Sequence, residues 1–158
     1  MIVLVTGGGG FLGSAICRQL LALGHEVIAY QRSACAELEK LGAKVVQGDI
    51  TDAELLNSTL KGVDSVIHTA AKAGLSVRYR DFFGPNVTGT DNVLNACLKN
   101  GIHKLVFTSS PSVTHADGDI EGGDESLPYA ENYNSPYPAT KALAEQREIG
   151  RASCRERV

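Results

Sequence analysis

The sequence predicts an α/β fold built on a doubly wound parallel sheet. Short apolar segments alternate with segments whose apolar residues recur every three or four positions, which indicates strands alternating with helices. The strand segments are apolar throughout rather than alternating, and this is typical of a sheet covered on both faces. Helices between successive strands then imply parallel strand order with right-handed crossovers.

The predicted elements follow one another at regular spacing. We predict strands at 2–6, 27–30, 44–47, 65–69 and 104–108, and helices at 11–23, 36–41, 51–60, 87–98 and from 135 onward. Gly24, Gly42 and Asn100-Gly101 are the stop signals of three of these helices. Thr51-Asp-Ala-Glu54 has the spacing of a capping box, so we expect Thr51 to cap the third helix. Residues 112–134 are polar and glycine-rich, which indicates a loop.

The bulk composition is that of an ordinary globular domain. The 158 residues are 43% hydrophobic and 21% charged, enough for one domain with its own core. A net charge of -3 gives no electrostatic reason to expect a nucleic-acid partner. Apolar runs fall far short of the roughly 20 residues of a membrane span, and no signal peptide is recognisable. The four cysteines form no C-x-x-C pair, so we expect buried thiols in the cytoplasm and no metal site.

We expect residues 1–147 to form the domain and residues 148–158 to be a non-native tail. The terminal stretch places a glycine and three arginines in what is otherwise a well-patterned helix. Back-translated, it reads as sequencing-adapter DNA, and we interpret it as adapter read-through. A source read in which native coding sequence continues through this segment would refute the interpretation.

A glycine-rich bend joins the first strand to the first helix. Thr6-Gly-Gly-Gly-Gly-Phe-Leu-Gly13 satisfies both G-x-G-x-x-G and T-G-x-x-G-x-x-G, the latter with Gly7, Gly10 and Gly13. Glycines allow a tight turn and let a pyrophosphate approach the backbone N–H groups. The helix N-terminus adds donors and a partial positive charge. The position of the glycine bend between a strand and a helix predicts a dinucleotide site of the Rossmann type.

The end of the second strand bears on which nicotinamide cofactor is used. NAD-preferring enzymes usually place an acid there, whereas this chain has Tyr30-Gln-Arg-Ser33. Arg32 can pair with a 2′-phosphate, so we predict NADP, with NAD as the alternative. After the third strand, we expect Asp49 to bond the adenine amino group and Ile50 to pack on the ring. The alternative for Asp49 is a turn residue ahead of Thr51.

Tyr137-Pro-Ala-Thr-Lys141 predicts an acid–base pair. Residues four apart share one helical face, and a nearby ammonium stabilises the ionised phenol, which suits it to proton transfer at neutral pH. Ser135-Pro136 suits the start of that helix. A hydroxyl is also needed to hold the substrate oxygen, and we select Ser110 at the end of the fifth strand. Ser109 and Ser112 stay open, and backbone capping is the alternative role.

Several motifs together resemble the extended short-chain dehydrogenases/reductases. They are the glycine bend, His68-Thr-Ala-Ala71, Asn86-Val-x-Gly-Thr90, Thr108-Ser-Ser110 and Tyr137-x-x-x-Lys141. The longer stretches His68-Thr-Ala-Ala-Lys-Ala-Gly74 and Ser110-Pro-Ser-Val-Thr-His115 resemble the 3β-hydroxysteroid dehydrogenase/isomerase-like branch, most closely the bacterial 2-alkyl-3-oxoalkanoate reductases. The resemblance covers residues 1 to about 147. It implies an N-terminal fragment that lacks the last part of the sheet and the substrate domain.

The resemblance also implies roles for the matching positions. Those that line the cofactor are Phe11, Leu12, Asp49, Ile50, Ala70, Ala71 and Asn86. Those that carry the chemistry are Ser110, Tyr137 and Lys141. We expect His68 to pack at the sheet end rather than act as a base. Pro85 stands where the family continues a helix, and because it lacks a backbone donor we expect a distorted turn before Asn86.

The function implied is that of an NAD(P)-dependent oxidoreductase. It would interconvert a ketone and a secondary alcohol by hydride transfer on a hydrophobic substrate, of the 3β-hydroxysteroid or 2-alkyl-3-oxoalkanoate type. Family members often dimerise, so a homodimer is allowed. The alternatives are an NAD-dependent sugar-nucleotide epimerase or dehydratase, which Gln31-Arg32 disfavours, and a nucleotide-sensing domain, which typically lacks the Tyr/Lys pair. A chain of this length could also be inactive, because the substrate pocket is incomplete.

Overall fold

A parallel five-stranded sheet forms the centre of the molecule, which a computed structural model describes at residues 1–74, 76–114, 120–124 and 126–152. Its strands are β1 (Ile2–Thr6), β2 (Glu26–Gln31), β3 (Lys44–Gln47), β4 (Ser65–His68) and β5 (Lys104–Phe107). They are arranged in the order β3-β2-β1-β4-β5, and every neighbouring pair is parallel. The predicted doubly wound sheet is confirmed.

Helices cover both faces of the sheet, so the hydrophobic core consists of two clusters, one on each face. They are α1 (Phe11–Ala22), α2 (Ala36–Lys40), α3 (Ala53–Thr59), α4 (Tyr79–Phe83), α5 (Gly89–Lys99) and α6 (Pro136–Ala152). On one face Leu4 of β1 packs in a cluster with residues of α3 and α5. On the other, Val3 and Val5 pack in a cluster that includes Cys17 of α1 and Leu38 of α2. Successive residues of β1 alternate between these two clusters, and this explains why the apolar run of the strand is continuous. None of the described helices is both long and apolar enough to cross a membrane.

The chain enters α5 through a distorted turn, as Pro85 predicts. Residues Gly84–Thr88 form a π-helix between α4 and α5, with Pro85 in its first turn. Proline has no backbone N–H to donate, and the wider turn of a π-helix accommodates the missing hydrogen bond. Helix α4 was not predicted from the sequence, because its five residues bury Phe82 alone and show no usable period. Asn86, within this π-helix, is buried.

The N-cap of α3 is Asp52, so the prediction of Thr51 as the cap is wrong. The Asp52 carboxylate accepts the Leu55 N–H at 3.0 Å. Thr51 takes part in the turn that precedes the helix: its N–H and its hydroxyl both donate to Asp49 Oδ1, at 2.8 and 2.6 Å. Because the hydroxyl already has this partner in the turn, the neighbouring carboxylate caps the helix.

Helix α6 extends beyond the boundary expected at residue 147. It runs through Gly150 to Ala152, since one glycine in a helix costs only about 1 kcal/mol. The Arg147 guanidinium pairs with the Asp91 carboxylate on α5. Arg151 reaches the same carboxylate at 3.3 Å and donates to the Asn95 side chain at 2.9 Å. The adapter origin of residues 148–158 stays a hypothesis about the source DNA, and residues 153–158 lie outside the described residues.

The glycine bend is tight enough to give a stability test. A Cβ on Gly13 would lie 2.1 Å from the Gly7 carbonyl oxygen, so we expect Gly13→Ala to lower the free energy of unfolding by about 3 kcal/mol or more. Gly84→Ala is the control, because its Cβ would meet only Thr51, at 4.0 Å, and its backbone angles are helical. Urea unfolding measures both. Equal midpoints for Gly13→Ala and the wild type would contradict the packing.

Candidate active site

A cavity of about 610 Å³ opens at the carboxyl edge of the sheet, and we call it the strand-end cavity. It is lined by Gly7, Gly9, Gly10, Pro85 and residues 30–35, 48–50 and 69–73. These segments follow β1, β2, β3 and β4. The strand order reverses between β1 and β4, and such a switch point is where doubly wound sheets bind ligands.

The glycine bend (residues 7–13) forms one wall of this cavity. Gly7 has a φ of 70°, and its N–H donates to the Tyr30 carbonyl at 2.8 Å, while the Gly10 N–H donates to the Gly7 carbonyl at 2.9 Å. A Cβ on Gly9 would lie 2.6 Å from Gln31 Oε1. Helix α1 begins with no capping side chain and no acid in its first turn. Its first N–H groups are therefore available to an anion.

The end of β2 supplies an acceptor and a cation to the same cavity. Gln31 Nε2 donates to the Ser33 carbonyl at 2.8 Å, whereas Gln31 Oε1 is buried and accepts no hydrogen bond within the described ranges. A buried acceptor without a donor costs about 1–3 kcal/mol, which a hydroxyl of a bound molecule would relieve. Arg32 is exposed and lines the cavity. An unpaired buried acceptor beside a guanidinium and free N–H groups suits a ligand with hydroxyls and phosphates.

Asp49 is fixed in place at the end of β3. Hydrogen bonds from Thr51 lower the pKa of the Asp49 carboxyl, and Arg32 contributes in the same direction. The Tyr30 hydroxyl donates to the Asp49 carbonyl at 2.9 Å, and burial raises the pKa of Tyr30 to about 12. Asp49 is thus ionised and held on the cavity wall, with the turn role and the binding role both open to it.

The predicted cofactor residues divide into those on the wall of the cavity and those outside it. Gly7, Gly10, Arg32, Asp49, Ile50, Ala70 and Ala71 line the cavity. Gly13 is packed behind the bend against Gly7. Phe11 and Leu12, at the start of α1, are 99% and 46% exposed and are not part of the wall. Their assignment stays a prediction.

Asn86 supports the cavity wall through hydrogen bonds to the Lys72 backbone. Its Oδ1 accepts the Lys72 N–H at 2.7 Å, and its Nδ2 donates to the Lys72 carbonyl at 3.1 Å. The same Nδ2 donates to the Thr140 hydroxyl at 3.0 Å, on α6. The amide therefore holds the segment after β4 and links it to the helix that carries Lys141.

His68 is buried at the sheet end, and its hydrogen bonds fix its neutral tautomer. The Thr90 hydroxyl donates its single proton to the Asn86 carbonyl at 2.6 Å, so it must accept from His68 Nε2 at 3.0 Å. Nδ1 then accepts from the Thr6 hydroxyl at 2.7 Å, and that hydroxyl accepts the Ala70 N–H at 3.2 Å. Burial lowers the pKa of His68 to about 3. It packs and bridges rather than serving as a base.

Lys141 is buried at the carboxyl end of β5. Only 4% of it is exposed, and its Nζ donates to the Thr108 carbonyl at 2.6 Å and lies 4.2 Å from the centre of the Phe107 ring. Burial lowers the pKa of Lys141 to about 8. Tyr137, one turn earlier on α6, is half-buried, with its ring edge-on to Phe82 at 6.5 Å. The ammonium and the phenol thus share the helical face predicted for them.

The serines after β5 have different partners. The Ser110 hydroxyl lies 2.8 Å from that of Ser112 and accepts the Ser112 N–H at 3.3 Å, which caps a short 3-10 helix (Pro111–Val113). The Ser109 hydroxyl instead donates to the Glu145 carboxylate on α6. Ser110 therefore performs the capping role that was its alternative, while its choice as the substrate-binding hydroxyl stays a prediction.

Comparison with known proteins identifies the family. The 3-beta hydroxysteroid dehydrogenase/isomerase family model matches residues 4–150. The chain belongs to this family. The 2-alkyl-3-oxoalkanoate reductase of Stenotrophomonas maltophilia is 50% identical over 151 residues, covering 94% of this chain and 46% of that protein. The 3 beta-hydroxysteroid dehydrogenase/Delta 5-->4-isomerase of Mycobacterium tuberculosis is 42% identical over 151 residues, covering 91% and 41%.

Solved structures resemble this member of the 3-beta hydroxysteroid dehydrogenase/isomerase family over the same region. The UDP-glucose 4-epimerase of Stenotrophomonas maltophila, with bound NAD and formylated UDP-arabinopyranose, is 30% identical with a TM-score of 0.86, covering 99% of this chain and 50% of that one. The UDP-glucose 4-epimerase of Thermus thermophilus, in complex with NAD, is 32% identical with a TM-score of 0.85, covering 98% and 51%. The chain spans about half the length of the curated relatives it matches.

Some residues around the site were not predicted from the sequence. Lys72 lines the cavity, Thr140 is hydrogen-bonded to Asn86, and Glu145 binds Ser109. The signal for Glu145 was present, since it lies four residues after Lys141 and hence on the same helical face. Thr140 had no such signal, because its contact with Asn86 joins residues 54 positions apart.

The buried ammonium predicts a pH dependence of stability. Folding lowers the pKa of Lys141 from 10.5 to about 8, so above pH 8 the unfolded chain binds more protons and stability rises with pH. From about pH 7 to about pH 9.5 this contributes about 2 kcal/mol. Lys141→Met should lack the rise, and urea unfolding of both proteins across this range measures the difference. Parallel stability curves for the two proteins would exclude a depressed pKa.

Proposed function

We propose that this chain is the cofactor-binding and catalytic half of an NADP(H)-dependent oxidoreductase that interconverts a ketone and a secondary alcohol. The observation that carries the proposal is the arrangement of two features along one sheet edge. The strand-end cavity lies at the ends of β1 to β4, and the Lys141 ammonium is seated at the end of β5, next to β4. The names of the 50% and 42% identical relatives, a reductase and a dehydrogenase, support the reaction class.

The cavity suits a nicotinamide dinucleotide. The glycine bend would hold the pyrophosphate on its N–H groups, and Gln31 Oε1 would accept from a ribose hydroxyl. Arg32 would pair with the 2′-phosphate of NADP, which an acid at this place would repel. Asp49 would accept from the adenine amino group, with Ile50 against the ring. The dinucleotide, when bound, supplies the hydride.

Three side chains would handle the substrate oxygen and its proton. Tyr137 would donate its hydroxyl proton to the carbonyl oxygen during ketone reduction. The Lys141 ammonium, held by the Thr108 carbonyl, would stabilise the phenolate that remains and bind a ribose hydroxyl of the cofactor. The Ser110 hydroxyl would hold the same carbonyl oxygen through a hydrogen bond.

The relatives also support a hydrophobic substrate, of the 2-alkyl-3-oxoalkanoate or 3β-hydroxysteroid type. A sugar-nucleotide epimerase is the alternative, since the structural neighbours include UDP-glucose 4-epimerases. Gln31-Arg32 in place of an acid favours the reductase.

We place the protein in the cytoplasm, where the buried Cys17 thiol, whose pKa burial raises to about 11, stays reduced. A homodimer through α5 and α6 belongs to the same proposal.

Arg32 tests the choice of cofactor. We expect Arg32→Ala to weaken NADPH binding about 10-fold or more and to leave NADH binding unchanged, because a charge-assisted bond to phosphate contributes about 1.5–3 kcal/mol. Fluorescence titration of this chain measures both affinities. Arg18→Ala is the control, since Arg18 is paired with Glu37 and does not line the cavity. An equal loss for the two cofactors would refute the assignment.

Tyr137 tests the chemistry in the intact reading frame that contains this chain. We expect Tyr137→Phe to keep NADPH affinity within about twofold and to lower ketone reduction by about 10²–10⁴-fold, the usual contribution of a positioned acid. Tyr79→Phe is the control, because Tyr79 is 46% exposed and packs on Phe83. Substrates are a 2-alkyl-3-oxoalkanoate, a 3-ketosteroid and UDP-glucose. Near-normal turnover by Tyr137→Phe contradicts the role, and turnover of UDP-glucose alone favours the epimerase.

A further inference from the structure

Glu145 lies at the junction between α6 and the chain that follows β5. It is one turn after Lys141 and two turns after Tyr137, so the three side chains occupy one face of the helix. The Ser109 hydroxyl donates to its carboxylate. In the same way the Thr108 carbonyl accepts from Lys141. Two consecutive residues after β5 are therefore held by two consecutive turns of α6.

This pairing determines which way the next serine faces. Ser110 has an extended backbone, with φ -151° and ψ 137°, and successive side chains of an extended chain point to opposite sides. With Ser109 directed to Glu145, the Ser110 hydroxyl is directed away from that carboxylate and meets Ser112. A shift of one residue would bring Ser110 into the position of Ser109, facing Glu145. The contact with Glu145 opposes that shift.

The returning part of the β5–α6 connection (residues 108–135) is joined to the outgoing part by hydrogen bonds. Burial raises the pKa of Tyr129, and interaction with the Glu145 carboxylate raises it further. The Val113 carbonyl accepts the Ala130 N–H at 3.1 Å and the Tyr133 hydroxyl at 2.7 Å, which joins the outgoing and returning parts. The contact of Glu145 with Ser109 therefore holds the outgoing part, and Val113 connects the returning part to it.

We propose that Glu145 is a positioning residue: it fastens the start of the β5–α6 connection to α6 and so sets the place of Ser110 relative to Tyr137 and Lys141. The catalytic part of this statement rests on the proposed function, whereas the tether itself does not. Glu145 also provides a negative charge to the buried Lys141 ammonium, whose neighbours include the Thr108 carbonyl, the Phe107 ring and the neutral His68.

The tether is tested by hydrogen exchange in this chain. Glu145→Ala and Ser109→Ala should each speed amide exchange about 10-fold or more in peptides that contain Ser109 or Tyr129, because local opening becomes easier. Peptides from β1 and α1 should be unchanged. Gln146→Ala is the matched control, since Gln146 is the exposed neighbour on the same helix. Unchanged exchange in the Ser109 and Tyr129 peptides of Glu145→Ala would overturn the proposal.

The positioning role is tested by kinetics in the intact reading frame. Glu145→Ala should lower kcat for ketone reduction about 10-fold or more with NADPH affinity within about twofold, Ser109→Ala should do the same, and the double variant should be no slower than either single one. Glu145→Gln should recover part of kcat, because its amide oxygen still accepts from Ser109. Additive losses, or a loss confined to NADPH affinity, would refute the role. If the wild type reduces no ketone, the proposed function fails, and hydrogen exchange still decides the tether.

Discussion

The buried ammonium of Lys141 determines how the last helix docks on the sheet. Removing a charge from water is costly unless partners replace the solvent. Here the partners are the Thr108 carbonyl, the face of the Phe107 ring and the charge of Glu145. Since the first two belong to the end of β5, α6 satisfies its ammonium only in the register that brings Lys141 to this point. The same register places Tyr137 one turn away, against Phe82.

A second constraint joins this helix to the end of β1. Five residues that link β1 to α6 are each at most 2% exposed: Thr6, His68, Thr90, Asn86 and Thr140. A continuous series of hydrogen bonds runs through them, and the link from Thr90 to Asn86 is made to the Asn86 backbone carbonyl. Each donor has one acceptor, which is why the series requires a neutral imidazole. A protonated ring would present two donors and leave the Thr6 hydroxyl proton without its acceptor. Since an unsatisfied buried group is costly, the two halves of the site are held in a fixed relation.

Sequence patterns predicted the strands and the residues at their ends, and missed one helix cap and the contacts between side chains of different elements. The strands and the cavity wall were predictable, because parallel strands that end at one edge bring residues such as Gly7, Asp49 and Ala70 together. The cap of α3 was misplaced by one residue, since two adjacent side chains could both serve and a turn engaged Thr51 first. The contact of Ser109 with Glu145 spans 36 positions, so no local period indicates it.

The likeness to both reductases and epimerases follows from what this chain contains. The proposed dinucleotide site and the Tyr137–Lys141 pair would act on a carbon that bears oxygen, whichever larger molecule that carbon belongs to. The TM-score of 0.86 to an epimerase therefore carries little weight in the choice of substrate. What separates the two chemistries within this chain is the end of β2. An enzyme that keeps one NAD in place benefits from an acid on the ribose hydroxyls, whereas this chain has Arg32 on the cavity wall, and the proposed use of a cofactor with a 2′-phosphate rests on that cation.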